Sequence, residues 1–162
     1  MTKRQELFEH LKKAGIEYEN FDHEPVFTVA ESYKVKDSVP GAHTKNLFLK
    51  DDKKQFWLIS ALQDTKINLR QVAKQLPAKN IRFAQPELLR TYLGVQPGSV
   101  TWFALINDKE YQVKAILDKR LFEHARVGFH PLKNDATTVI ASDDLITFAR
   151  SLGHTYQIFD FS

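Results

Sequence analysis

Cysteine is absent from the 162 residues, so disulfides, thiolate nucleophiles and Cys-ligated zinc are excluded, and a reducing compartment is suited. No apolar run approaches the roughly 20 residues needed to span a bilayer. The N-terminal MTKRQELFEHLKK is amphipathic and charged and lacks the apolar stretch of a signal peptide. A cytoplasmic protein with no membrane partner is expected. The Gly-x-x-x-x-Gly-Lys-Ser/Thr loop and the Gly-x-Gly-x-x-Gly turn are both missing, so no recognised nucleotide-phosphate cradle is present. The Gly-x-Ser-x-Gly elbow is missing too. Histidines stand at 10, 23, 43, 124, 130 and 154, and none pairs with another at the i, i+4 spacing of a helical zinc site. No metal and no cofactor are expected.

What is present reads as one domain over 1–162. Hydrophobic residues make up 43% and charged residues 27%, which is globular rather than disordered. Twelve Phe point to an aromatic core or an apolar pocket. The net charge of +3 is compatible with a polyanionic partner and equally with a solvated surface. Thr2 and Gln5 have capping-box spacing ahead of Leu7, Phe8 and Leu11, with Gly15 ending that helix. Tyr18 to Phe21 reads as a strand, and Thr28 with Glu31 opens a short helix near Val29–Tyr33. Asn46–Leu49 and Gln55–Ala61 flank the polar turn 51–54 as a hairpin. Asn68 caps a helix that Pro77 stops, Ile81–Ala84 is a strand, and Pro86 begins a helix reaching Leu93. Val100–Ile106 and Tyr111–Leu117 read as a second hairpin about Asn107-Asp108. Val139–Ala141 is a strand, Ser142 caps a helix ending near Gly153, and Tyr156–Phe161 is a last strand. Strands that arrive both as hairpins and singly between helices predict an α+β fold with a mixed, mainly antiparallel sheet.

Three segments carry candidate chemistry. In 40–49 a glycine-bearing loop precedes Lys45 and an apolar strand follows. Its ammonium is either a solvated edge charge or a group aimed into a cleft at a phosphate, carbonyl or developing oxyanion. In 94–100 Gly98 is either an ordinary Pro-Gly turn or a point of close ligand approach, with the Gly98 and Ser99 amides as donors. Ser99 itself has no sequence-adjacent base. In 128–138 His130 is flanked by Gly and Pro and followed by amide and hydroxyl side chains, as a structural loop histidine or as one facing a polar cleft.

Taken in order, these segments resemble the YbaK/prolyl-tRNA synthetase editing-domain family, most closely its freestanding ProXp-ala (PrdX-like) branch. The residues that carry the likeness are Pro-Val-Phe-Thr-Val-Ala at 25–30, Thr44-Lys45-Asn46-Leu47-Phe48-Leu49, Gly-Val-x-Pro-Gly-Ser-Val at 94–100 and Gly-Phe-His-Pro-x-x-Asn-x-Ala-Thr-Thr at 128–138. Trp102 departs from the family pattern, where proline often follows Val-Thr, and a change at the pocket rim is expected there. The resemblance implies a partly barrel-like mixed sheet wrapped by helices. It also implies hydrolysis of alanine mischarged on proline tRNA, without metal or covalent intermediate. Prolyl-tRNA synthetase rejects the smaller alanine only by lost contact energy, about 1–3 kcal/mol per methylene, so a second hydrolytic sieve is needed. By position, Lys45 matches the substrate-anchoring lysine. The Gly98 and Ser99 amides match groups that place the ester or its attacking water, and His130 matches the histidine that shapes the site. Asn46 is a contact for the amino-acid end, and Val26, Phe27, Val29, Leu47 and Phe129 offer an apolar lining. Lys79 and Arg82 are basic residues for the acceptor stem, although surface solvation explains them as well. The partner implied is the proline-tRNA acceptor end, with prolyl-tRNA synthetase a second and DNA not one. An editor of cysteine or serine, and a tRNA- or synthetase-binding module without catalysis, remain alternatives.

Overall fold

The computed structural model describes residues 2–25 and 39–161. The helix predicted near Val29–Tyr33 falls outside them. Helix α1 (Lys3–Lys13) starts as expected: Gln5 N donates to the Thr2 hydroxyl at 3.1 Å and Thr2 N to the Gln5 side chain at 2.8 Å. Leu7 and Leu11, one turn apart, are fully buried. Strand β1 (Tyr18–Asp22) follows, then the hairpin of β2 (Ala42–Lys50) and β3 (Phe56–Leu62). Asn68 caps α2 (Leu69–Gln75). A two-residue strand β4 (Arg82–Phe83) precedes the short helix α3 (Pro86–Leu88), which continues as a π turn through Leu93. After a 3-10 turn at Trp102–Asn107 come β5 (Val113–Asp118), a second 3-10 turn at Lys119–Glu123, β6 (Arg126–Phe129), β7 (Ala136–Ala141), α4 (Asp144–Ser151) and β8 (Gln157–Phe159).

These strands form one sheet in the order β1-β7-β6-β2-β3-β5-β8, with β4 beside β2. Pairings β1–β7, β2–β3, β2–β4 and β6–β7 are antiparallel, while β2–β6, β3–β5 and β5–β8 are parallel. One face, carrying Phe48, Leu58, Ala115 and Val127, packs on α1, α4 and the Trp102–Leu105 turn. The other, carrying Leu49, Trp57, Ile59 and Ile116, is covered by Val72 of α2 and by Leu76 at its C-cap. Strands β2, β3 and β5 therefore divide their side chains between two apolar clusters, as a period of two requires.

Three sequence expectations are corrected. Val100–Ile106 is not a hairpin strand: the Thr101 hydroxyl accepts from Phe103 N at 3.3 Å and winds Trp102–Asn107 into a 3-10 turn. A continuous apolar run fits a buried helix as well as a buried strand, and here the capping hydroxyl favours the turn. Asp108 then gathers the Gln112 and Val113 amides, both at 2.9 Å, and sends β5 beside β3 in parallel. The helix after β7 has Asp143, not Ser142, at its N-cap, and Ser142 offers its carbonyl to Leu145 N at 3.1 Å. The strand predicted over Val139–Ala141 begins earlier, at Ala136, and follows an additional strand, β6, over Arg126–Phe129.

Candidate functional site

β3 pairs with β2 along one edge, from Thr44–Leu62 to Lys50–Phe56. The other edge is shared. β6 joins it in parallel for two pairs, Ala42–Val127 and His43–Gly128, and β4 rejoins it at Leu49–Phe83 and Lys50–Arg82. Between them, among the described residues, no strand pairs with Lys45–Leu47 on that edge. β2 and β6 thus part as a fork, and the Thr44 hydroxyl donating to Gly128 O at 2.6 Å marks its base. Lys45 and His130 each lie two residues beyond the last pair, one on either prong. By alternation both belong to the face of His43 and Gly128.

The Lys45 ammonium donates to Thr65 O, which takes one of its three N–H donors. Thr65 is itself fixed. Its hydroxyl donates to the Asp118 carboxylate at 2.6 Å and accepts from the Arg120 guanidinium at 3.0 Å. Asp118 is fully buried and also accepts from Leu62 N at 3.2 Å and Arg120 N at 3.0 Å. Arg120 reaches Asp64 at 3.4 Å. A polar chain from Asp118 through Thr65 therefore aims the Lys45 stem. Sequence reading missed it, although Asp118, closing an apolar strand ahead of Lys119-Arg120, stands where an N-cap would.

On the other prong the His130 ring donates through Nδ1 to Ala136 O at 2.9 Å, which leaves Nε2 as the acceptor of the neutral ring. Burial is the main influence on this ring, and with the nearby His23 and Arg4 it holds His130 below the ordinary histidine value, against the Ala136 hydrogen bond and Asp135. The loop after His130 is pinned from α1: Arg4 pairs with Asp135 and donates to Pro131 O at 3.2 Å. The hydrogen bond from Arg4, outweighing burial, holds the Asp135 carboxyl below its usual range. His23, also unassigned by sequence reading, lies edge-on to His130 with centroids 6.2 Å apart and bonds the Thr137 hydroxyl through Nε2 at 2.9 Å.

The other candidates scatter around this fork. Asn46 points to the opposite face from Lys45, and its side-chain oxygen accepts from the buried Ser60 hydroxyl. Leu47 is half-buried against the α2-side cluster. Phe129 is 2% exposed and packs edge-on to Phe103 within the core. Gly98 is exposed at φ +86°, a left-handed turn position, and Ser99 N donates back to Gln96 O at 3.0 Å, so that amide already has a partner inside the turn. Val26, Phe27 and Val29 lie outside the described residues. Trp102 is fully buried and donates to Leu145 O at 3.1 Å, which makes it a core residue and corrects the expected pocket rim. Lys79 and Arg82 sit at the far end of β2 from the fork: Arg82 pairs with Lys50, roughly 16 Å along the strand from Lys45 at about 3.3 Å per residue.

A cavity of about 350 Å³ opens at the base of the fork, lined by Gly41, His43, Gln63, Asp64, Arg120 and His124 among others, and neither Lys45 nor His130 lines it. A larger groove of about 970 Å³ lies between the end of α1 and the β1–β7 edge, but none of the candidate residues lines it. The chemistry gathers at the fork. Among the described residues no group of three His, Asp or Glu is arranged to hold a metal ion, and no helix is long and apolar enough to cross a membrane.

The family profile described as aminoacyl-tRNA editing domain matches residues 23–148. Prolyl-tRNA synthetase associated domain-containing protein 1 of Bos taurus is 40% identical over 163 residues, covering 98% of this chain and 95% of its own. The prolyl-tRNA editing protein ProX of Acetoanaerobium sticklandii is 32% identical over 158 residues, covering 97% and 96%. Among solved structures, a candidate trans-editing enzyme for prolyl tRNA synthetase superposes with a TM-score of 0.74 at 16% identity, covering all of this chain and 98% of that one. The hypothetical protein APE2540 gives the same TM-score at 18% identity, covering 97% and 98%. At such identities the structures speak for the fold, an α+β architecture about a mixed sheet.

Proposed function

Since the chain belongs to the aminoacyl-tRNA editing domain family, we propose that it is a trans-editing deacylase that hydrolyses alanine from proline tRNA. The observation that carries this reading is the β2–β6 fork, which sets a cation and a neutral imidazole on opposite prongs. Water adds to the ester carbonyl, the bond to the ribose oxygen breaks, and that oxygen leaves with a proton as alanine is freed. Negative charge collects on the carbonyl oxygen during the attack. The two Lys45 N–H donors not taken by Thr65 stabilise that charge or hold the adjoining phosphate, and a group pre-positioned by Asp118 and Thr65 needs little reorganisation. His130 Nε2 accepts from the water or the terminal ribose, whose vicinal hydroxyl serves as general base. Asn46, whose side chain lies on the opposite face against Ser60, takes no part at the fork, and Lys79 and Arg82 take acceptor-stem phosphates.

His130 works as an acceptor only while neutral. Because the fold lowers its pKa, the acid-side decline of kcat/KM for enzymatic deacylation should be centred below about 6.5, the ordinary histidine value. A decline centred at or above that value would contradict this role.

Alanyl-, seryl- and cysteinyl-tRNA(Pro), presented to protein exhaustively treated with chelator, test substrate and metal independence together. Alanine ester should be cleaved fastest, at the rate of untreated protein once magnesium for tRNA folding is restored. Faster cleavage of serine or cysteine would transfer the assignment to that amino acid. Activity restored specifically by zinc would overturn the metal-free mechanism.

A further inference from the structure

Phe83 is 58% exposed, the largest exposure among the large hydrophobic side chains described. It stands on the edge strand β4, paired with Leu49, and so on the sheet face that carries Leu47 and Lys45. Lys45 and Leu49 are four residues apart, roughly 13 Å along β2 at about 3.3 Å per residue. The surroundings are cationic. The β2–β3 turn and the segment leading into β4 are stitched together by Asp52 N donating to Lys79 O at 2.8 Å and Lys79 N to Asp51 at 3.1 Å. This gathers Lys50, Lys53, Lys54, Lys79 and Arg82 at one end of the molecule. Asp51 does little to offset them outward, since it is 3% exposed and its carboxylate accepts from Lys53 N, Gln55 N, the Gln55 side chain and Lys79 N. The remaining acid, Asp52, forms a surface pair with Arg82 at 2.8 Å, each side chain over 40% exposed. Such a pair contributes little and can exchange for a phosphate.

We propose that the Phe83 ring is a stacking platform for an unpaired nucleobase of the tRNA 3′ end, with the surrounding cations holding the phosphates on either side. An exposed aromatic ring at the end of the molecule where Lys and Arg collect is an arrangement that binds single-stranded nucleic acid, because every base offers a π-face and every nucleotide a charge. The spacing agrees in scale: the three steps across four unpaired nucleotides span about 10 Å at the ~3.4 Å rise of a stacked strand, and slight extension of the tail covers the roughly 13 Å. A terminal adenosine at Lys45 would therefore bring the start of the unpaired tail to Phe83. The inference rests on the editing reading for its orientation, while the stacking itself can be measured without catalysis.

The direct probe is a tRNA acceptor-stem hairpin carrying 2-aminopurine at single positions of its unpaired tail, bound to the full protein. Stacking on Phe83 should change the emission at one upstream tail position; Phe83→Ala should abolish that change and Phe83→Trp should preserve it. In deacylation, Phe83→Ala should raise KM for alanyl-tRNA(Pro) about 5- to 150-fold, as one base–aromatic stack implies. kcat, and turnover of the minimal substrate alanyl-adenosine, should stay unchanged. Unaltered emission at every tail position together with an unaltered KM would overturn the proposal. So would Phe83-dependent self-association in sedimentation without any effect on RNA, which would assign the ring to a second copy of the chain. If wild-type protein cleaves no aminoacyl ester yet shows the Phe83-dependent emission change, the editing reading fails and the stacking site stands.

Discussion

Lys45→Ala should cleave alanyl-tRNA(Pro) at least about 100-fold more slowly than wild type. Removing one positioned electrostatic group costs a hydrolase about 10²–10³ in kcat, and 100-fold is about 2.7 kcal/mol of transition-state stabilisation. The whole loss is expected because, among the described residues, the other cation of that polar chain, Arg120, is already engaged with Thr65 and Asp64. The fold should survive, since the ammonium contributes one hydrogen bond, to Thr65 O, on a part-buried strand edge. Lys45→Met keeps the aliphatic stem and removes only the charge, so the two variants together separate packing from electrostatics. Both should melt close to wild type and both should be slow. A folded variant that deacylates near normally would remove Lys45 from the mechanism.

Asp108→Asn should destabilise the protein by about 3–5 kcal/mol, the cost of breaking a buried ion pair from one side. Asp108 and His154 side chains are 2% and 1% exposed and meet at 3.0 Å. The second His154 nitrogen lies 2.8 Å from Thr155 O. Both nitrogens face acceptors, so the imidazolium is the form that satisfies them. Burial opposes charge on His154, but the hydrogen bonds to Asp108 and Thr155 outweigh it and raise the pKa. Burial also opposes charge on Asp108, and the hydrogen bonds from His154, Val113 and Gln112 outweigh it and lower the pKa. The His154 contribution is therefore complete below about pH 6.5, its unfolded value, and fades as pH rises through the higher folded value. The Asp108 contribution is complete above about pH 3.9 and fades as pH falls through the lower folded value. The stability difference between wild type and Asp108→Asn, from urea titrations, should be greatest between those limits. His154→Gln serves where the first variant does not fold. A difference independent of pH would show that the pair is not ionised in the native state.

Much of this molecule is legible in its sequence because short-range signals and tertiary packing agree. The Thr2–Gln5 capping box, the hairpin about 51–54 and the Pro77 stop each act within a few residues, and the fold leaves each in place. Trp102–Asn107 escaped because its apolar run carries no period and only the Thr101 hydroxyl decides its form. The parallel pairing of β3 with β5 escaped for another reason: it joins residues more than fifty apart, through Asp108, whose reach a linear reading does not reveal.

The candidate site shows the same division. Lys45, at the mouth of an apolar strand, and His130, in a loop, stand out as residue types, and the family resemblance names them. Their relation as two prongs of one fork depends on the register of β2 against β6, which no local signal encodes. Asp118 and Thr65 are ordinary residues in the chain and become positioning groups only when β5 brings the carboxylate under the 62–65 turn. Phe129 carries the opposite lesson. Its place in a chemistry-bearing motif suggested a pocket wall, whereas strand alternation turns its ring into the core against Phe103.

The most direct test is side-by-side deacylation of alanyl-tRNA(Pro) and prolyl-tRNA(Pro) by the purified chain. A size-based sieve that protects the correct product predicts rapid release of alanine while the proline ester decays no faster than in buffer. Equal cleavage of both esters, or binding of the tRNA with cleavage of neither, would contradict it.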